Sequence, residues 1–146
     1  MEHDGVERTE DGRWIVVDGR RWRASDPSIP GPLRQELVDE LMAARREVAA
    51  GEPDARGRVQ HAKVALGERG EPWWEPGTDE GRRGRIRAVV LALTARRAPS
   101  GSICPSDVAR TGGTSWRGLM DNVRAEVRAL ATRARWRSFS GGSPST

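Results

Sequence analysis

Apolar and polar residues alternate near the N-terminus in a pattern typical of a β-hairpin. Two strand-like runs, residues 13–17 and 20–23, flank an Asp-Gly pair that suits a type I′ turn. In that register Ile15 pairs with Trp22, and Val17 lies on the same face as both. The pattern therefore predicts a hairpin whose core face consists of Ile15, Val17 and Trp22.

Two stretches of helical periodicity follow the hairpin. Apolar residues recur at helical spacing over about residues 33–50 and again over about residues 53–67. Gly67 stands where the C-terminus of a helix favours glycine. The short link between the two stretches favours an antiparallel helix pair, and we expect the hairpin and Trp73-Trp74 to cover the open face of that pair.

The C-terminal part of the chain has the order of elements found in helix-turn-helix proteins. The pattern predicts an apolar helix over residues 85–97, a very short strand over 102–104 and a short helix over 105–110. A glycine turn then precedes a long helix capped by Ser115. One apolar stripe of this last helix comprises Trp116, Leu119, Met120, Val123, Val127 and Leu130. That order places the last helix in the recognition position.

These elements predict a mainly α fold with a small β-hairpin, which is an α+β fold class. A polar stretch containing Pro76-Gly77 is typical of a linker between two modules. The predicted units are a disordered acidic N-terminus (1–11), a module of hairpin plus helical pair (12–74), a linker (75–84), a helix-turn-helix module (85–134) and a disordered Ser/Gly/Pro tail (135–146).

The charge is divided unequally along the chain. Residues 1–80 hold 12 basic and 18 acidic residues, net −6, whereas residues 81–146 hold 13 basic and 3 acidic residues, net +10. Of the 25 basic residues 24 are Arg, so arginine as a residue type is a weak signal. Its placement is more informative, because only the C-terminal part lacks balancing carboxylates. A polyanion is the partner that such a part attracts.

The candidate nucleic-acid-binding residues lie on the last helix and just beyond it. They are Ser115, Arg117, Asn122, Arg124, Arg128, Arg133 and Arg135. Such side chains can reach phosphates or base edges of duplex DNA. The same arginines can instead form a solvated face in an arginine-rich chain, so the alternative stays open.

The composition argues against several other functions. One cysteine and two histidines allow neither an intramolecular disulfide nor a zinc cluster. No phosphate-binding glycine loop, nucleophile elbow or paired metal ligands are found. We therefore predict no enzyme activity, no catalytic residue, no cofactor and no metal. The acidic N-terminus and short apolar runs predict a cytoplasmic protein without a membrane role.

Two motifs in the C-terminal part point to a family. They are SICPSDVAR at residues 102–110 and WRGLMDNVR at residues 116–124. In these motifs the chain resembles a bacterial winged-helix domain family of unknown function. The resemblance implies a winged-helix-like fold for residues 85–134 and favours nucleic-acid binding. A winged helix continues with two wing strands. Residues 131–146 instead consist of a basic stretch and a Ser/Gly/Pro tail. We therefore expect a missing or reduced wing.

The N-terminal part carries motifs of its own. They are VDGRRWR at residues 17–23, LMAARR at residues 41–46 and AKVALGERGEPWW at residues 62–74. In these motifs the chain resembles a small uncharacterised actinobacterial family, whose members are sometimes labelled Tol-type biopolymer-transport components. We expect no such transport role, because the sequence contains neither a transmembrane anchor nor a periplasmic signal.

Three hypotheses follow from the sequence. The first is binding of duplex DNA through the basic helix-turn-helix, by contacts that are largely electrostatic. The alternative is a protein-protein interaction or self-association module, in which the acidic N-terminal part binds a partner or the basic part of another copy. The third is thiol chemistry at Cys104, whose place before a helix N-terminus can lower the pKa of a thiol, although a half-buried structural cysteine is the simpler interpretation.

Overall fold

The computed structural model describes residues 6–98, 103–111 and 118–140, with only the backbone for residue 6 and residues 133–140. Three strands form an antiparallel sheet in the order β1-β2-β3. The strands are β1 (Val6–Arg8), β2 (Trp14–Val17) and β3 (Arg20–Arg23). The helices of the described part are α1 (Gly31–Ala49), α2 (Ala55–Leu66), α3 (Asp79–Arg97), α4 (Pro105–Arg110) and α5 (Met120–Ser140). The α+β prediction is confirmed.

The hairpin forms in the predicted register. Ile15 pairs with Trp22 across β2 and β3. Asp18 and Gly19 have φ angles of 52° and 78°, as a type I′ turn requires at both central positions. The sequence did not reveal β1, which pairs with β2 and lies within the N-terminus predicted to be disordered. For residues 6–8 that prediction is wrong, because the backbone groups of β2 offer a second edge for pairing.

The predicted core face of the hairpin is not buried. Ile15 and Val17 are half-buried, and Trp22 keeps 40% of its surface exposed. In the described part of the chain no strand packs extensively against a helix. The prediction was wrong because strand alternation shows which residues share a face but not whether another layer covers it.

Helices α1 and α2 match their predicted positions and pack against each other. Gly67 caps α2 in the left-handed region, with φ 84°. A Cβ at this position would also lie 3.2 Å from the side chains of Asp26 and Trp73. Glycine is therefore required by conformation and by space.

Helix α3 covers the α1–α2 pair, a position that the sequence assigned to the hairpin and the tryptophans. Trp73 instead donates its indole N–H to the carbonyl of Ala24 at 2.9 Å. Helix α3 also begins at Asp79 rather than 85, so its first turns occupy half of the predicted linker. The Oγ1 of Thr78 accepts a hydrogen bond from the backbone N–H of Gly81 at 3.0 Å and caps the helix.

One hydrophobic cluster includes residues from both predicted modules. Its fully buried large members are Leu37, Leu66, Val89, Leu93, Val108 and Val123. Helix α3 contributes Val89 and Leu93 and contacts α1, α2, α4 and α5. A shared cluster does not decide whether either part folds alone, so the division into modules stays a prediction.

The end of the chain differs from its prediction. Helix α4 has the predicted bounds, but Ile103 and Cys104 do not form a strand. Helix α5 continues to Ser140, so residues 135–140 belong to a helix and not to an unstructured tail. The described residues after Leu130 are helical, so no wing strand occurs among residues 131–140. The predicted cap Ser115 and the glycine turn lie outside the described residues.

Candidate nucleic-acid interface

The inner face of α5 fixes which side chains of this helix face outward. Val123 is fully buried, and Val127 and Leu130 pack against the same cluster. Glu126 is only 7% exposed, and its Oε1 accepts from Nη2 of Arg87 on α3 at 3.3 Å. Apolar packing and one inward ion pair thus determine the rotation of α5 about its axis.

The outer face carries three of the predicted interface residues. Asn122, Arg124 and Arg128 are all exposed. With about 100° between successive residues of a helix, Arg124 and Arg128 lie about 40° apart, whereas Asn122 lies about 160° from Arg124. The helix therefore brings the two arginines together and places Asn122 at the opposite edge of the exposed arc.

Few carboxylates compete for these two arginines. Nη1 of Arg124 lies 3.8 Å from Oδ1 of Asp121, and the two side chains are 52% and 99% exposed. An ion pair this long and this exposed contributes little. Arg128 forms no ion pair within the described part of the chain. Both guanidinium groups are accessible to an external anion.

The remaining predicted residues cannot be placed in this interface by their side chains. Ser115 and Arg117 lie outside the described residues. The backbone of Arg133 and Arg135 continues α5 as helix. Their assignment as nucleic-acid contacts stays a prediction.

Two arginines of α3 are bound by carboxylates from the acidic part of the chain. Arg85 Nη1 lies 2.9 Å from Oδ2 of Asp26. Arg97 donates from Nε and Nη2 to the two oxygens of Glu36, at 2.8 and 2.9 Å. This hydrogen-bonded guanidinium holds the pKa of Glu36 below its usual range. Counting charges by segment missed these pairs, because their members are far apart in sequence.

A second cationic surface lies on the sheet, and sequence reasoning missed it as well. We call it the tryptophan–arginine surface; its members are Trp14, Trp22, Trp74, Arg13, Arg20, Arg21, Arg23 and Lys63. Each of the five cations lies over one of the three indole rings, at 4.6 to 5.8 Å from its centroid. Arginine beside tryptophan at residues 13–14 and 20–23 was the available signal.

A groove of about 620 Å³ separates α2 and the following loop from α3. Its wall includes Val64, Trp73 and Leu91, together with the guanidinium-bearing Arg85 and Arg87. Among the described residues there is no group of three or more His, Cys, Asp or Glu side chains that could hold a metal ion. The groove is mostly apolar, and its polar positions carry both arginines and carboxylates, the latter from Glu71, Glu75 and Glu80.

The cysteine is exposed, so the interpretation of Cys104 as a half-buried structural residue was wrong. Its Sγ lies 3.0 Å from the hydroxyl oxygen of Ser106. Hydrogen bonds from the side chain and backbone of Ser106 lower the pKa of the thiol from its usual 9.0. The local turn at the start of α4 places these groups together. Among the described residues, no basic side chain joins them.

Comparison with known proteins bears on the C-terminal part of the chain. None of the helices in the described ranges combines the length and apolar character needed to cross a bilayer. No curated protein and no solved structure matches the chain. Residues 83–144, from the second turn of α3 to beyond the end of α5, match the family described as "Protein of unknown function (DUF3253)". The match includes the segment after Leu130, where the sequence departs from the winged-helix pattern.

Proposed function

We propose that the chain binds duplex DNA through the outward face of α5. The observation that carries the proposal is the exposed pair Arg124 and Arg128, which α5 presents on one side with only the long, exposed contact of Arg124 to Asp121. The buried stripe and the inward Glu126 hold that side away from the core. A rigid helix with two accessible guanidinium groups can contact phosphates of successive nucleotides.

The arrangement of the neighbouring helices supports this proposal. Helix α5 packs on α3 and α4, with α4 as the short helix that precedes it. The helix-turn-helix geometry places the last helix of such a set in the major groove. In the winged-helix form of the proposal, Asn122 reads a base edge from the other edge of the arc. Ser115 and Arg117, which precede the helix in sequence, and Arg133 and Arg135 in its second half add further contacts.

The test is the affinity of the full chain for a fluorescein-labelled duplex of random sequence, measured by fluorescence anisotropy between about 50 and 200 mM salt. We expect affinity to fall steeply as salt rises. In the double variant Arg124→Gln/Arg128→Gln, the slope of log affinity against log salt should decrease by up to about two, since each lost phosphate contact removes about one unit.

The matched control is Arg45→Gln/Arg46→Gln, which removes the same charge from exposed positions of α1. We expect this control to leave the salt slope near that of the unaltered chain. Binding that does not depend on salt, or no binding by the unaltered chain, contradicts the proposal. If both double variants lost the same amount of salt slope, the binding would be an effect of net charge and not of the α5 arginines.

The alternative function is self-association through the oppositely charged parts of the chain. The pairs Arg85–Asp26 and Arg97–Glu36 weigh against it, because opposite charges that meet within one chain are not available to a second. Sedimentation equilibrium at low and high salt measures this directly. A dimer that dissociates as salt rises, in a chain without DNA affinity, would favour the alternative.

A further inference from the structure

The tryptophan–arginine surface lies at a free edge of the sheet. Strand β3 is an edge strand, and Arg20, Arg21 and Trp22 along it are all exposed. Trp22 exposes 40% of its surface, although an indole is among the most favourable groups to bury. No helix of the described part covers this edge. The surface therefore has both a partly exposed aromatic ring and an exposed row of cations.

The aromatic rings and the cations are interleaved. The guanidinium carbon of Arg20 lies 4.6 Å from the Trp22 ring centroid, and Nζ of Lys63 lies 5.4 Å from it. On the other face, Arg21 lies 4.6 Å from the ring centroid of Trp14. Trp14 is itself held at 5.6 Å from Trp74 in an edge-to-face contact. These contacts fix the rings and cations before any partner arrives.

The cations of this surface form no close ion pair with a described carboxylate. No ion pair of the described residues includes Arg13, Arg20, Arg21, Arg23 or Lys63. The guanidinium of Arg23 donates to the carbonyl of Gly70 at 2.8 Å, but its Nε is buried without a hydrogen-bond partner in that part of the chain. Unneutralised positive charge beside an exposed indole is complementary to a ligand with both negative charge and flat rings.

We propose that the tryptophan–arginine surface binds single-stranded nucleic acid. A base stacks on the exposed part of Trp22, and Arg20 and Lys63, which lie over the same ring, contact the flanking phosphates. A duplex fits less well, because its bases are already stacked on one another and offer no free face to a protruding indole. An acidic peptide would satisfy the arginines but would leave the ring of Trp22 unused.

This site is separate from the proposed duplex interface on α5 and does not depend on it. The test uses the full chain and a fluorescein-labelled oligothymidylate, with anisotropy as the readout and polyglutamate of similar charge as the competitor. We expect Trp22→Leu to weaken oligothymidylate binding by about tenfold, the loss typical of one stacked base. We expect Arg20→Gln/Lys63→Gln to lower the salt slope by up to about two.

Two control variants keep the result interpretable. Met42→Ala removes the other large exposed apolar side chain of the described part and should leave binding unchanged. Arg124→Gln/Arg128→Gln should reduce duplex binding and spare oligothymidylate binding, so the two proposals can fail separately. Far-UV circular dichroism and the unfolding midpoint verify that Trp22→Leu is folded.

Three outcomes would overturn the proposal. The first is no oligothymidylate binding by the unaltered, folded chain at low salt. The second is a Trp22→Leu variant that binds as tightly as the unaltered chain, since stacking would then contribute nothing. The third is polyglutamate binding of equal affinity that also survives Trp22→Leu, which would make the surface a docking site for an acidic protein. An oligoribonucleotide of uridine, run in parallel, distinguishes RNA from DNA as the preferred strand.

Discussion

The helical region and the sheet of this protein use arginine in two different ways. In α3, Arg85 and Arg97 are bound by carboxylates of the N-terminal part, at 2.8 to 2.9 Å. On the sheet, Arg20 and Arg21 lie over tryptophan rings and meet no carboxylate of the described residues. The same residue type is neutralised in one region and remains available in the other.

This difference shows that the net charge of a segment does not locate its free charge. The segment with net −6 carries the cations without acidic partners, and the segment with net +10 has several arginines already paired. A carboxylate neutralises the arginine that lies within a few ångströms of it in space, whichever segment supplies it. Within the described part of the basic segment, Arg124 and Arg128 on α5 stay exposed and at most weakly paired, which supports the proposal of duplex binding.

The largest expected effect tests whether the two regions share one core. Leu93 on α3 is fully buried in the cluster, so Leu93→Ala should destabilise the protein by about 2–5 kcal/mol. Val16 in β2 is only half-buried, and Val16→Ala should cost about 1 kcal/mol. Urea unfolding followed by far-UV circular dichroism measures both free energies.

The same urea titration, followed by tryptophan fluorescence, tests whether the two regions unfold together. Trp116 and Trp136 lie in the C-terminal part, so Trp116→Phe and Trp136→Phe are introduced in both chains, and the emission of the other four tryptophans then reports on the N-terminal part. If Leu93→Ala shifts the fluorescence and dichroism midpoints together, the regions unfold as one unit. Separate midpoints would show two independently stable modules, as the sequence-based domain division predicts.

A smaller effect concerns the ion pair that joins the regions. Glu36→Gln should destabilise the protein by about 1 kcal/mol at neutral pH, because Glu36 and Arg97 are both partly exposed. Since Arg97 lowers the pKa of Glu36 in the folded state, the stabilisation is present above the usual value of 4.5. It is lost as the pH falls through the lower, folded value.

The stability difference between the unaltered chain and Glu36→Gln should therefore vanish in acid. Unfolding midpoints measured from neutral pH down to about pH 3 follow this loss. A difference that stays constant over the whole range would mean that Glu36 acts through packing and not through its charge.

The smallest expected effect is local to the start of α4. Ser106→Ala removes the hydrogen bond that lowers the pKa of Cys104, so a smaller fraction of the thiol is ionised at neutral pH. Labelling by a disulfide reagent should slow several-fold in the folded variant. In denaturant the two chains should react at the same rate, and a persistent difference there would exclude the folded-state explanation.

The sequence predicted those parts of the fold that depend on near neighbours. The turn at Asp18-Gly19, the cap at Gly67 and the bounds of α4 follow from the local chemistry of the backbone. The true start of α3 was also readable, since Thr78 followed by two acidic residues is an N-terminal signal. The β1 strand could not be predicted in this way, because its order depends on pairing with β2 and not on its own residues.

The candidate sites also depend partly on local pattern and partly on tertiary contacts. Helical periodicity alone placed Arg124 and Arg128 on the exposed side of the last helix, because the apolar stripe determines which side is buried. Only the tertiary structure decided which arginines find a carboxylate and which tryptophans stay uncovered. Those outcomes depend on residues far apart in sequence that meet at a few ångströms, and neither composition nor spacing encodes such distances.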